Sequence, residues 1–213
     1  MSQLDQPGAG AATTAGRWPT RDEAWQIITE FVQSQSLRRH MLAVEAAMRA
    51  YARRFGEDEE RWATVALLHD FDYEIHPTLD HHPQDGAPIL RARGIAEDCI
   101  HAILTHADHL ELERTTPMHK ALWAVDEVTG FAAAVALVRP DKRIASVTPA
   151  SFKKKMKDKA FARAVSREDM LRGAEELGVP FDEHVQLVID AMAGSAEELG
   201  LAGQPAESRQ GGV

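Results

Sequence analysis

Two carboxylates and two imidazoles sit where helical periodicity calls for carbon. Asp126 falls four residues after Leu122 inside the run LWAVDEVTGF, and Asp70 falls four after Ala66. His69 follows Trp62 by seven and Val65 by four, and His40 lies three after Leu37 and four before Val44. Residues at these intervals share one face of a helix, so each of the four groups shares or borders an apolar stripe. An unpaired carboxylate taken into an apolar interior costs several kcal/mol and normally shifts its pKa or finds a partner. Two inward aspartates with several histidines call for a cation, and carboxylate oxygens with neutral imidazoles are ligands of zinc, iron, manganese and cobalt. The reading is a divalent-metal site on His40, His69, Asp70 and Asp126. A single inward histidine is more often a hydrogen-bonded core residue, and a lone His-Asp dipeptide recurs by chance. The joint order carries the assignment: a helical His, a His-Asp pair after LL, HP and HxxH groups, then a helical Asp.

The elements that must position these groups read as helices throughout. Thr20 and Glu23 form a capping box, Thr116-Pro117 and Thr148-Pro149 place a capping hydroxyl before a proline, and Ser166 with Asp169 makes a related start. Gly56, Gly94 and Gly178 supply stops. Apolar stripes run through Leu37, Met41, Val44, Met48, Tyr51 and Phe55, through Ile100, Ile103, Leu104 and Ala107, and through Phe181, Val185, Val188, Met192 and Leu199. No segment alternates strictly enough for a strand. The expected fold is all-α, a compact bundle of about seven to nine helices. Residues 1–17 and 203–213 are small, polar and aperiodic and are expected as disordered tails around one domain at 18–202.

Composition narrows the setting. The 213 residues suit one domain with a sizeable core, with 44% hydrophobic and 27% charged residues. Only 6% are aromatic, and helix formers dominate. A formal charge of −9 argues against broad binding to nucleic acid or to anionic membranes. The single cysteine, Cys99, cannot make an internal disulfide, which fits a reducing compartment. The N-terminus lacks the basic-then-apolar pattern of a signal peptide, and the longest apolar stretch, from Phe131 to Val138, is too short to cross a bilayer. A soluble, cytoplasmic protein is expected.

In order and spacing, these residues resemble the HD superfamily of metal-dependent phosphohydrolases, whose signature is an isolated His, an adjacent His-Asp pair and a distant Asp, all on helices. The matching positions are His40, the pair His69-Asp70 in ATVALLHDFDYE, and Asp126 in ALWAVDEVTG. The stretch HDFDYE, followed by HPQDGAPILRARG and AILTHAD, is similar to uncharacterised bacterial and archaeal HD hydrolases of this size. The resemblance spans roughly residues 20 to 200, making 18–202 an HD domain.

The resemblance implies one or two divalent ions, drawn from manganese, iron, zinc, cobalt, nickel and magnesium. Metal one would take His40, His69, Asp70 and Asp126; metal two would take Asp70, His82 and His106. His82 competes with its neighbour His81, and His106 with His109. His82 is favoured because it directly precedes Pro83 at the start of the next helix, as in the family. His106 is favoured because it lies three after Ile103, near that helix's inward face. The implied activity is hydrolysis of a small phosphate ester, such as a nucleotide or a phosphorylated metabolite, by a metal-activated hydroxide, with His69 and Asp70 at its catalytic heart. Two alternatives share the fold: a di-iron oxygenase on a similar His/Asp set, and a non-catalytic helical signalling module. Many HD hydrolases carry a glycine and a lysine shortly after the pair, whereas Phe71, Asp72, Tyr73 and Glu74 follow it here. Asp72 and Glu74 are read as outer partners of the ligands, as substrate-facing groups, or as a solvated loop. Glu127 and Asp108 are candidates for orienting the ligands' free ring nitrogens.

One basic cluster remains, SFKKKMKDK at 151–159. Charge runs of this kind are usually a solvated face. The sharper reading has Lys153, Lys154 or Lys157 reaching an anionic substrate at the mouth of the site. The expected partner is a small phosphorylated molecule, with no membrane and no nucleic acid, and a homo-oligomer stays open.

Overall fold

The computed structural model describes residues 16–203; the tails expected at 1–15 and 204–213 lie outside the described residues. Gly16 and Arg17, expected within the first tail, are held down. The Arg17 amide donates to the Gly94 carbonyl at 2.9 Å, and the Ala96 amide donates to the Arg17 carbonyl at 3.0 Å. A Cβ on Gly16 would stand 2.6 Å from the Ile95 carbonyl oxygen, so this approach requires glycine.

Among the described residues there are nine α-helices and no strand, an all-α bundle as the capping signals predict. They are α1 (Arg21–Phe31), α2 (Gln35–Phe55), α3 (Glu59–Leu68), α4 (Gly86–Ala92), α5 (Glu97–Leu104), α6 (Pro117–Leu137), α7 (Pro149–Met156), α8 (Arg167–Leu177) and α9 (Phe181–Gly194). Short 3-10 turns stand at Asp108–Leu110 and Ile144–Ser146. Thr20 and Glu23 close a reciprocal capping box on α1, and Thr116 and Thr148 cap α6 and α7 ahead of their prolines. Ser34 and Asp58, which the sequence reading does not single out, cap α2 and α3, the helices that present the first half of the site.

Helix α2 is the spine, packed against α3, α6 and α9. Met41, Val44, Met48 and Tyr51 of its stripe are fully buried, whereas Phe55 at its end is partly exposed. Helix α6 is buried on most of its circumference, and its many alanines allow neighbours close. A Cβ on Gly173 of α8 would lie 2.8 Å from the Ala124 Cα. Buried Glu45 ties α1 to α2 by accepting from Arg21 at 2.7 and 3.0 Å and from Arg49 at 3.0 Å. Such a pairing offsets the cost of taking a carboxylate out of water. No helix among the described residues is long and apolar enough to cross a membrane.

One buried histidine is structural. His184 of α9 is fully buried; its Nδ1 accepts from the Tyr51 hydroxyl at 2.6 Å, and its Nε2 donates to the Ala124 carbonyl at 2.9 Å. This bond set suits the neutral ring, and burial pushes its pKa down to about 4, only partly opposed by the Ala124 carbonyl. Because the folded value lies below the 6.5 of a free imidazole, the folded state is the proton-poor one. Its contribution is intact above about pH 6.5 and is lost as pH falls toward 4. Between pH 7 and 4.5, wild type should lose about 2–3 kcal/mol that His184→Gln retains. Urea unfolding of both chains at the two pH values measures this, and equal losses would refute it.

Candidate metal centre

The site is built where two helix ends, one connecting segment and two helix faces meet. His40 projects from α2. His69 is the residue on which α3 closes, its backbone still helical at φ −60° and ψ −38°, so its ring continues that helix's inward face. Asp70 follows on the same turn. The chain from Phe71 to Asp85 is anchored by Phe71, which is buried edge-on against Phe31 at 5.5 Å, and by fully buried Asp72. This segment delivers His82. Helix α4 then begins at Gly86, later than the start expected at Pro83, because a turn in which the His81 and His82 amides donate to the Thr78 carbonyl intervenes. His106 follows the end of α5, and Asp126 lies mid-way along α6.

These six side chains converge. His40, His69 and Asp126 each offer a ligand atom within 4.8 Å of the others, and so do Asp70, His82 and His106. Asp70 stands between the two groups. Its Oδ2 lies 3.4 Å from His69 Nε2 and 3.7 Å from His40 Nε2, while its Oδ1 lies 3.2 Å from His82 Nε2 and 3.6 Å from His106 Nε2. Asp126 Oδ1 is 2.9 Å from His40 Nε2 and 3.6 Å from His69 Nε2. The competing histidines stand apart: His81 is exposed and paired with Asp85 at 2.6 Å, and His109 is exposed at the rim.

The donor set fits a divalent cation. His69 Nδ1 donates to the Ala66 carbonyl at 2.7 Å and His106 Nδ1 to the Ile103 carbonyl at 2.6 Å. His82 Nδ1 donates to the Asp72 carboxylate at 2.9 Å. In each ring this places the proton on Nδ1 and turns the Nε2 lone pair inward, the arrangement that orients a ligating imidazole. His69 Nε2 is buried with no hydrogen-bond partner. His82 Nε2 and His106 Nε2 face one another at 3.2 Å, so a proton or a cation must lie between them. The outer acceptors are thus Ala66, Ile103 and Asp72. Glu127 and Asp108 do other work: Glu127 accepts from the Ser166 amide at 3.3 Å, and Asp108 pairs with Arg114 at 2.9 Å and Arg172 at 3.3 Å. Glu74 accepts from the Gln33 and Ser34 amides at 2.8 and 2.7 Å, fastening the loop to the α1–α2 corner.

The electrostatics also draw positive charge. Burial opposes a proton on His69, yet Asp70 and Asp126 hold its pKa well above the ordinary value. Burial likewise opposes a proton on His82, but Asp70 and Asp72 raise it to about 9. Burial, then the neighbouring His69 charge, lowers His106 to about 4. Asp70 and Asp126 stay below the carboxylate range despite burial, because the surrounding imidazoles favour their charged forms. Glu127 is pushed up to about 7, first by burial and then by Asp126 beside it.

The cluster lies in a cleft of about 770 Å³ whose other walls include Tyr73, Leu79, Trp123, Val165 and Asp169. Among the described residues no lysine or arginine lines it. Lys153, Lys154 and Lys157 are therefore not brought to the site. Helix α7 seats Phe152 in the core against Phe131, and the Lys153 ammonium pairs with Asp182 of α9 at 2.7 Å. Trp123 and Val165 carry no sequence signal that separates a cleft wall from core.

Neither a curated protein nor a solved structure matches the chain. A family model does: that of the HD domain aligns with residues 37–169, which hold all six converging residues and make up more than half of the sequence. The HD superfamily is one of metal-dependent hydrolases, and its domains bind divalent metals. With that alignment laid over a helical cluster of four imidazoles and two carboxylates, this chain belongs to the HD domain family.

Proposed function

We propose that this protein is a phosphohydrolase dependent on two divalent cations, acting on a small ester that carries one phosphoryl group. The observation that carries the reading is the position of Asp70, whose two oxygens face separate imidazole groups. His40, His69 and Asp126 would hold one ion, His82 and His106 the other, with Asp70 shared. Divalent ions held there would supply Lewis-acid polarisation of a phosphoryl oxygen and a lowered pKa for water. The chain's own part is to fix the donors: the Ala66 and Ile103 carbonyls and Asp72 hold three rings with Nε2 inward. Trp123, Val165 and the exposed Leu79 offer an apolar wall for the body of the ester. Among the described residues no lysine or arginine lines the wall itself, and Arg114 and Arg172, which touch its residues Asp108 and Trp123, are paired with Asp108, an arrangement that favours monophosphates over nucleoside triphosphates.

The test is a screen of sugar phosphates, nucleoside monophosphates and triphosphates with chain reconstituted in Mn2+ or Fe2+, repeated on His69→Ala. Monophosphates should be hydrolysed, triphosphates poorly, and the variant should be inactive. Turnover only with iron and dioxygen would overturn the reading in favour of the oxygenase alternative. Metal-free protein with no turnover would favour the signalling module.

A further inference from the structure

Of the three anchored imidazoles, His82 differs in its acceptor. His69 and His106 donate to neutral backbone carbonyls of their own helical turns, whereas His82 donates to a carboxylate. That carboxylate, Asp72, has no exposed surface. Its Oδ1 accepts from His82 Nδ1 at 2.9 Å and its Oδ2 from His76 Nδ1 at 3.1 Å. Asp72 also rests directly on the first residue of α4. A Cβ built on Gly86 would lie 2.7 Å from both Asp72 Cγ and Oδ2, so the carboxylate occupies the space a side chain would need. Gly86 shows no positive φ, and its helical backbone would suit alanine. The glycine at 86 is therefore explained by the room it leaves for Asp72.

We propose that Asp72 is a positioning residue that sets the metal affinity of the Asp70/His82/His106 group, seated by Gly86, while the His40/His69/Asp126 group is independent of it. The inference rests on the metal centre proposed above. A buried carboxylate acceptor locks the ring orientation and the Nδ1–H form, and makes the inward Nε2 a stronger donor to a cation. Asp72 touches no ligand of the other group through a hydrogen bond, so its removal acts on one half of the centre. A merely structural contribution would instead weaken both halves together.

The test is titration of Co2+ into the full chain after chelator treatment, followed by calorimetry and visible absorption, with far-UV circular dichroism as the folding check. Wild type should take up two ions. Asp72→Asn keeps the volume and removes the charge; it should leave one binding event unchanged and weaken the other about 10–100-fold. Gly86→Ala should reproduce that selective loss with the carboxylate still in the sequence, and it stands as the deciding variant if Asp72→Asn does not fold. Two unchanged events in the folded variants, or equal weakening of both, would overturn the inference while leaving the metal centre intact. Wild-type chain that takes up no Co2+ would remove the centre and this inference with it.

Discussion

Replacing Asp70 by alanine is expected to lower turnover of a phosphate monoester by on the order of 10³-fold and to disable both halves of the centre at once. The reason is its position. His40, His69 and Asp126 form one group and His82 and His106 part of another, but Asp70 presents one oxygen to each. Removal of another ligand, such as His106, spares the first group. Bound metals contribute several kcal/mol to stabilising a phosphoryl transition state, and about 1.36 kcal/mol corresponds to tenfold in rate. Losing even half of a six-kcal/mol contribution, roughly, already costs more than a hundredfold. Single-turnover rates with elemental analysis of the same samples check the claim. An Asp70→Ala chain that retains two equivalents of metal or near-normal turnover would show that the carboxylate is not shared.

The second large effect is on stability. The six candidate ligands run from residue 40 to residue 126 and come together only in the folded chain. A cation that binds them therefore binds the native state and not the unfolded one. At a free concentration one hundred times its dissociation constant, each ion adds about 2.7 kcal/mol. For a chain of this size, 1 kcal/mol moves the melting temperature by about 2–4 °C, so each occupied site should raise Tm by about 5–10 °C. Thermal unfolding in chelator and in excess Mn2+ measures it. Asp70→Ala should show little of the rise, since it weakens both sites. An identical Tm with and without metal in wild type would argue that the imidazoles meet only their protein partners.

Much of this arrangement is legible along the chain because it depends on local rules. The Thr20–Glu23 box, the Thr-Pro starts of α6 and α7 and the stops at Gly56 and Gly178 act within a turn or two of themselves, and each forms as its residues direct. The apolar stripe of α2 likewise forecasts its burial, because helical geometry alone decides which side chains share a face. The same geometry exposes His69, Asp70 and Asp126 as polar groups on inward faces. The start of α4 is missed by a few residues because His82-Pro83 is held in a turn whose closure depends on Thr78, with Asp72 packed against Gly86 beyond it.

The residues alone thus determine an all-α bundle and the polar groups it turns inward, since periodicity and capping are properties of neighbours in the chain. Which groups face each other is decided by the tertiary structure. It separates His82 from the exposed His81, and it sends Lys153 to Asp182 rather than to the cleft. It also sets Asp70 between two imidazole groups drawn from four segments of the chain. Those outcomes depend on how helices far apart in sequence pack, and no spacing along one helix encodes the distance between two.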